Sequence, residues 1–250
     1  MTQHARYNSW PLGQLPESWR RFEPEQIKSL GYVWEDARQI CTLFEDQLSL
    51  YTGAPHVVLT DCCTHALELS LRYQIEQGSL GLGDTVTIPA RTYVSVPLTI
   101  ANLGLRLDFD DGVEWSGEYQ LGFTKIFDSA ARFTSGMFNR EAKAQCLSFQ
   151  IKKRLPIGRG GAILTSDPSF AAWARLASYD GRDLTTPYNS AEHVRVRGFH
   201  YYMTPEDAAR GLLLLNEIDR HNKDTMDWMH YPDLRTWQTI SSLVSNGVQG

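Results

Sequence analysis

Six short runs, residues 56–60, 85–89, 105–109, 125–127, 146–149 and 162–165, are apolar and β-prone with little polar alternation. A strand with one wet face alternates; a strand covered on both faces does not. Between these runs lie stretches with helical spacing. Ala37, Ile40, Cys41, Phe44, Leu48 and Tyr51 share one face before Gly53-Ala54-Pro55, and Leu67, Leu71 and Ile75 follow a start near Thr64 and stop at Gly78. Two later helices carry start signals, Asp167-Pro168 before Phe170, Trp173, Ala174 and Ala177, and Thr204-Pro205-Glu206-Asp207 before Ala208, Leu212 and Leu215. Strands and helices in this order predict an α/β fold with a mostly parallel central sheet. Residues 1–32, with Trp10, Pro11, Pro16 and Trp19, read as an irregular arm, 33–222 as the main domain, and 223–250 as a short tail.

The 250 residues suffice for one substantial core. A net charge of -5 gives no electrostatic reason to expect nucleic acid or an anionic membrane as partner. Cys41, Cys62, Cys63 and Cys146 have no spacing of a disulfide framework, so a reducing, cytoplasmic setting is expected. The start, Met1 to Arg6, leads into polar sequence, and no apolar run reaches membrane-spanning length; a soluble, unprocessed chain is expected. Cys62, Cys63 and His65 lack the second pair that a tetrahedral zinc site needs, and no metal is expected. Gly158-Arg159-Gly160-Gly161 lacks the Lys-Ser/Thr of a P-loop and the glycine pattern of a dinucleotide fold.

The chemistry gathers at the carboxyl ends of the predicted strands. Lys153 closes the run Ser148 to Lys153 just before a glycine-rich turn and another strand. A lysine there suits a Schiff-base enzyme. Pyridoxal 5'-phosphate (PLP) asks for an amine for its aldehyde, a carboxylate for its ring nitrogen, a face for its ring and a cradle for its phosphate. Asp61-Cys62-Cys63-Thr64 joins a strand to a helix N-terminus, where free N–H groups and the Thr64 hydroxyl make a phosphate cup; Thr64 as a simple helix cap is the plain alternative. Ser148 reaches the same region, Tyr93 offers a ring, and Asp128 ends a strand before the small residues Ser129-Ala130-Ala131. Lys152 competes with Lys153 for the amine role.

From about Val33 to Asp219 the chain resembles the DegT/DnrJ/EryC1/StrS family of PLP-dependent sugar aminotransferases, of the aspartate-aminotransferase-like fold type I. The resemblance rests on Tyr51-Thr52-Gly53-Ala54, Cys63-Thr64-His65-Ala66-Leu67, Gly83-Asp84-Thr85-Val86, Pro89 to Tyr93 and Phe127-Asp128-Ser129-Ala130. It continues through Ser148-Phe149 and Lys153, Gly160 to Asp167, Asp180-Gly181-Arg182 and Gly198 to Thr204. The family's serine-to-lysine interval selects Lys153 over Lys152. The resemblance implies that Lys153 holds the internal aldimine and then acts as base, that Asp128 pairs with the ring nitrogen, that Tyr93 stacks, and that Cys63, Thr64 and Ser148 hold the phosphate. It also implies a homodimer with shared sites, glutamate or glutamine as amino donor, and a nucleotide-linked keto sugar as acceptor.

Departures from the family pattern accompany these matches. Ala131 stands where Gln or His often lies near the ring oxygen, and His200 stands where an asparagine commonly reaches the neighbouring subunit's phosphate. The segment between Phe109 and Lys125 is short, and the chain closes soon after Trp237, so the C-terminal small domain is expected to be largely missing. Transamination leads. Two alternatives are a PLP-dependent lyase, decarboxylase or replacement enzyme acting on an amino-acid-like or modified nucleotide substrate, and a non-catalytic reduced member.

Overall fold

A computed structural model of the chain describes residues 21–187 and 189–245. Trp10, Pro11, Pro16 and Trp19 of the expected arm lie outside the described residues, and its described end is corrected from irregular to helical over Glu23–Ser29, where Ile27 is buried. In chain order the elements are α1 (Glu23–Ser29), α2 (Gln39–Thr52), β1 (His56–Thr60), α3 (Cys63–Glu76), β2 (Thr85–Pro89), α4 (Ser95–Asn102) and β3 (Arg106–Asp110). There follow β4 (Tyr119–Gln120), β5 (Ile126–Asp128), β6 (Ala144–Ser148), β7 (Gly161–Thr165), α5 (Pro168–Ser178) and α6 (Pro205–Glu217). Two single 3-10 turns, Trp228–His230 and Leu234–Thr236, lead into α7 (Gln238–Ser245).

Local chemistry sets the helix ends. Gly53 adopts a left-handed φ of 81° and its N–H returns to the Ser49 carbonyl, which stops α2 where a side-chain-bearing residue would be strained. Asp167 caps α5 by accepting from the Ser169 and Phe170 N–H groups, and Thr204 caps α6 by accepting from Asp207; each is followed by a proline whose φ already suits the first turn.

The main sheet has the order β1-β7-β6-β5-β4, and β2 and β3 form a separate parallel pair. Along its strands, neighbouring residues enter opposite cores. Val58, Cys146 and Ile163 join one cluster with Leu67, Ile126 and Phe170; Val57, Leu59, Leu147, Ala162 and Leu164 join the other with Ile40, Phe44 and Leu48. Both faces of this sheet are therefore dry, which is why its runs lack polar alternation; the expectation is corrected for β3, where Arg106 and Asp108 are exposed and Leu107 is buried, so that strand alternates with one wet face. A single fully buried Phe or Leu contributes about 1.5–3 kcal/mol on this account.

The expectation of a mostly parallel sheet is corrected in part. β1, β5 and β6 point the same way, but β7 runs antiparallel to both β1 and β6, and β4 runs antiparallel to β5. β7 returns beside β6 after the loop 149–160, with Ser148 opposite Gly161. A strand buried on both faces is equally apolar in either direction, so composition cannot report its sense.

Close packing joins α2 to α6. A Cβ on Gly211 would lie 2.4 Å from Phe44 Cζ and 2.9 Å from Ile157 Cδ1, so only glycine lets α6 sit this near the cluster around Phe44. Residues 223–245 also lie against the body. Gly117 N–H donates to the Met226 carbonyl at 3.0 Å, Thr225 N–H to Ala131 at 2.9 Å, Trp228 N–H to Trp115 at 3.0 Å and Leu234 N–H to Ala90 at 2.9 Å. Among the described residues no helix is long and apolar enough to cross a membrane.

Candidate active site

The strand ends and the helix starts that follow them surround a cavity of about 510 Å3, lined among others by Cys63, Thr64, Tyr93, Asp128, Ser148 and Lys153. Its volume suits a small ligand. At one end, Cys62 enters α3 in extended backbone (φ -165°, ψ 161°) with no side-chain cap, so the first turn of the helix keeps its donors and positive dipole end for another partner. The Thr64 and Ser95 hydroxyls meet there at 2.8 Å, Ser95 coming from the first turn of α4. Gly161 is pressed against this turn. A Cβ at 161 would lie 2.5 Å from the Cys62 carbonyl carbon and 2.6 Å from the Cys63 nitrogen.

At the other end Asp128 is 5% exposed. Its Oδ1 accepts from Ala130 N–H at 3.0 Å and faces the Cys63 thiol at 3.9 Å; its Oδ2 accepts from the Tyr119 hydroxyl at 2.9 Å. Burial raises its pKa, opposed by the Ala130 and Tyr119 donors and by the charge of Lys153. All its direct partners are neutral. A buried carboxylate without a cation in contact is costly, and a protonated ring nitrogen would answer it.

Lys153 lines the same cavity. Its N–H donates to the Gln150 carbonyl at 2.8 Å, closing a turn, and its Nζ lies 3.9 Å from the Met226 thioether, a weak acceptor. Lys152 also borders the cavity but is exposed, whereas Lys153 is half-buried. Tyr93, 58% exposed, stands at the mouth. An uncapped helix start with hydroxyls, a buried anion and a weakly engaged amine around one cavity fit the phosphate, ring nitrogen and aldehyde of PLP respectively.

Two expected residues are placed differently from the rest. The Cys63 thiol is buried against Asp128 and the Cys146 carbonyl, 3.5 Å away, so its side chain faces the Asp128 end of the cavity and not the uncapped helix start. Burial pushes its pKa up, which keeps it a thiol. His200 is not among the residues lining the cavity; it is exposed and pairs with Asp180 at 3.1 Å. Tyr119, Ser95, Met226 and Tyr231 line the cavity without having been anticipated. The Tyr231 hydroxyl donates to the Met226 sulfur at 3.3 Å, and burial, with the charge of Asp128, pushes its pKa to about 12.

Beside the cup, His65 Nδ1 meets Asp61 Oδ1 at 2.5 Å, Arg159 donates to Asp61 Oδ2 at 2.7 Å, and the His65 ring stacks on Tyr201 at 3.6 Å. Asp61, Cys62 and His65 bring ligand atoms within 4.8 Å of one another, but both Asp61 oxygens are engaged, one by a guanidinium. Burial alone would lower the His65 pKa; the hydrogen bond to Asp61 and the neighbouring charge outweigh it and raise it to about 9 from 6.5. The folded state therefore binds more protons than the unfolded one between these values, and stability falls as pH rises from 6.5 to 9. Urea unfolding across that window is expected to show this fall in the parent chain and a smaller one in His65→Gln; equal slopes would disprove the assignment.

Residues 32–113 and 126–232 match the profile of the DegT/DnrJ/EryC1/StrS aminotransferase family. GDP-perosamine synthase of Caulobacter vibrioides is 25% identical over 221 residues, covering 71% of this chain and 57% of that protein. Among solved structures, the aminotransferase TlmJ from Streptoalloteichus hindustanus superposes with a TM-score of 0.60 at 20% identity, over 78% of this chain and 62% of that one. 3-Amino-5-hydroxybenzoic acid synthase gives a TM-score of 0.62 at 20% identity, over 84% and 64% respectively. These structural likenesses speak for the fold. The chain thus spans somewhat under two thirds of the length of the relatives it matches.

Proposed function

Since the chain belongs to the DegT/DnrJ/EryC1/StrS aminotransferase family, we propose that it is a PLP-dependent aminotransferase that moves an amino group from glutamate or glutamine to a keto carbon of a nucleotide-linked sugar or similar polar acceptor. The observation that carries this reading is the placement of Lys153 and Asp128, with the uncapped start of α3, around one cavity.

When bound, PLP supplies an electron sink that stabilises negative charge on a carbon attached to the transferred nitrogen. The backbone donors at the start of α3 and the Thr64, Ser95 and Ser148 hydroxyls bind its phosphate. Asp128 keeps a proton on the ring nitrogen, because a buried anion favours the cationic form of its partner. Lys153 would hold the cofactor by its aldehyde, as the half-buried amine lining the cavity. Its Nζ would also hold and move the proton at the α carbon of the amino donor and, in the reverse sense, at the acceptor. Tyr93 covers the ring face. Met226, Tyr231 and Trp115 exclude water from the inner wall, as their positions around the cavity support. His200, turned away from its own cavity, serves the phosphate of a second copy in a homodimer.

The test is a half-reaction. The PLP-loaded protein, given glutamate or glutamine alone, is expected to lose its yellow absorbance and yield pyridoxamine phosphate stoichiometrically. Carbon dioxide or an elimination product without pyridoxamine phosphate would replace transamination with the lyase reading.

A further inference from the structure

Tyr119 lies between 113 and 126, the interval in which the family match is interrupted. Its place is nonetheless fixed by the sheet. β4 pairs with β5 so that Tyr119 stands opposite Asp128, and its hydroxyl reaches Asp128 Oδ2 at 2.9 Å. The same hydroxyl meets Thr92 Oγ1 at 2.5 Å. Thr92 is 1% exposed and Tyr119 6% exposed, so water does not compete for these groups. The Tyr119 ring packs on Trp115, with centroids 5.0 Å apart.

Proton counting gives this chain of groups a direction. A tyrosine hydroxyl has one proton to donate, and an ionised carboxylate can only accept. While Asp128 is charged, Tyr119 must donate to it, and Thr92 must donate to the Tyr119 oxygen. If Asp128 takes a proton, the order can reverse, with Asp128 donating to Tyr119 and Tyr119 to Thr92. The forward order adds a charge-assisted bond to the ionised form of a carboxylate that burial otherwise pushes towards neutrality. Tyr119 also occupies Oδ2 from the side, which fixes the plane of the carboxylate towards the cavity.

We propose that Tyr119, oriented by Thr92, is a positioning residue that holds Asp128 ionised and aimed at the ring nitrogen of the cofactor. The inference rests on the reading of Asp128 as partner of that nitrogen. It assigns a role to a short segment outside the family match, and it makes that role specific to one atom of the ligand.

The specificity provides the test. Affinities for PLP and for 1-deaza-PLP, whose ring carries carbon in place of that nitrogen, are measured by absorbance titration of the full chain, its Tyr119→Phe and Thr92→Val variants, and Asp128→Asn. Tyr119→Phe is expected to weaken PLP about tenfold while leaving 1-deaza-PLP within about a factor of two, because only the former uses the carboxylate. Thr92→Val should act in the same sense and more weakly; should Tyr119→Phe not fold, Thr92→Val alone carries the comparison. Equal losses for both ligands, or none for either, while Asp128→Asn still distinguishes them, would overturn the role of Tyr119 alone. If Asp128→Asn does not distinguish them, the reading of Asp128 fails and the proposal with it.

Discussion

Lys153→Ala is expected to abolish borohydride-fixed attachment of PLP and to lower transamination by about 10²–10⁴-fold or more, the range lost with a positioned proton carrier. The backbone makes the position special. The turn closed by Lys153 N–H on the Gln150 carbonyl leaves its side chain half-buried beside Met226, whereas Lys152 on the same turn is exposed. Lys152→Ala is therefore expected to keep the attachment. The cup and Asp128 remain in Lys153→Ala, so non-covalent PLP should still bind. Peptide mapping after reduction decides the matter: a label on Lys152 in the parent chain, or one persisting in Lys153→Ala, would reassign the amine.

The second large effect concerns Arg132, which ties the C-terminal segment to the site. Its guanidinium grips Asp224 with Nε at 3.1 Å and Nη2 at 2.9 Å, donates to the Ser116 carbonyl at 3.0 Å, and contacts Glu118 through Nη1. Glu118 in turn accepts from Ser129 at 2.7 Å and Gln145 at 3.0 Å. Breaking a fully buried pair costs about 3–5 kcal/mol; these side chains keep 16–30% of their exposure, so Arg132→Ala is expected to cost about 1–3 kcal/mol. Arg132→Lys keeps the charge but not the two-pronged grip and should recover only part of the loss. Two readouts are expected together, a lower urea midpoint and faster proteolysis within 223–237. A lower midpoint with unchanged proteolysis of that segment would mean that Arg132 does not hold the wall.

The parts of the site that lie at strand ends were legible in the sequence. Asp128 follows an apolar run, Ser148 ends another, and Lys153 precedes glycines; each signal is local, and the sheet brings the strand ends together. Tyr119 was not legible, because a two-residue strand has no periodicity and its meaning comes only from standing opposite Asp128. Met226 and Tyr231 were hidden for a related reason. Met226 is 73 residues from Lys153 along the chain, and nothing in the pattern of 223–250 says where it docks. The direction of β7 was misread because burial on both faces erases the polarity of a strand. Ser95 was missed with its helix, since the eight residues Ser95–Asn102 follow Val94, which offers no side-chain cap to announce a start.

The attachment of the C-terminal segment has an evolutionary consequence. Residues 225, 226 and 228 are held to 115, 117 and 131 through backbone amides and carbonyls, which every residue but proline carries in full. Of the side chains lining the cavity from this segment, Met226 and Tyr231 are therefore largely relieved of fixing its path, whereas His230 closes its own turn on Asp227. Substitutions there change the lining of the cavity while its frame persists, so what the cavity admits can drift by single steps without each step passing through a misfolded intermediate.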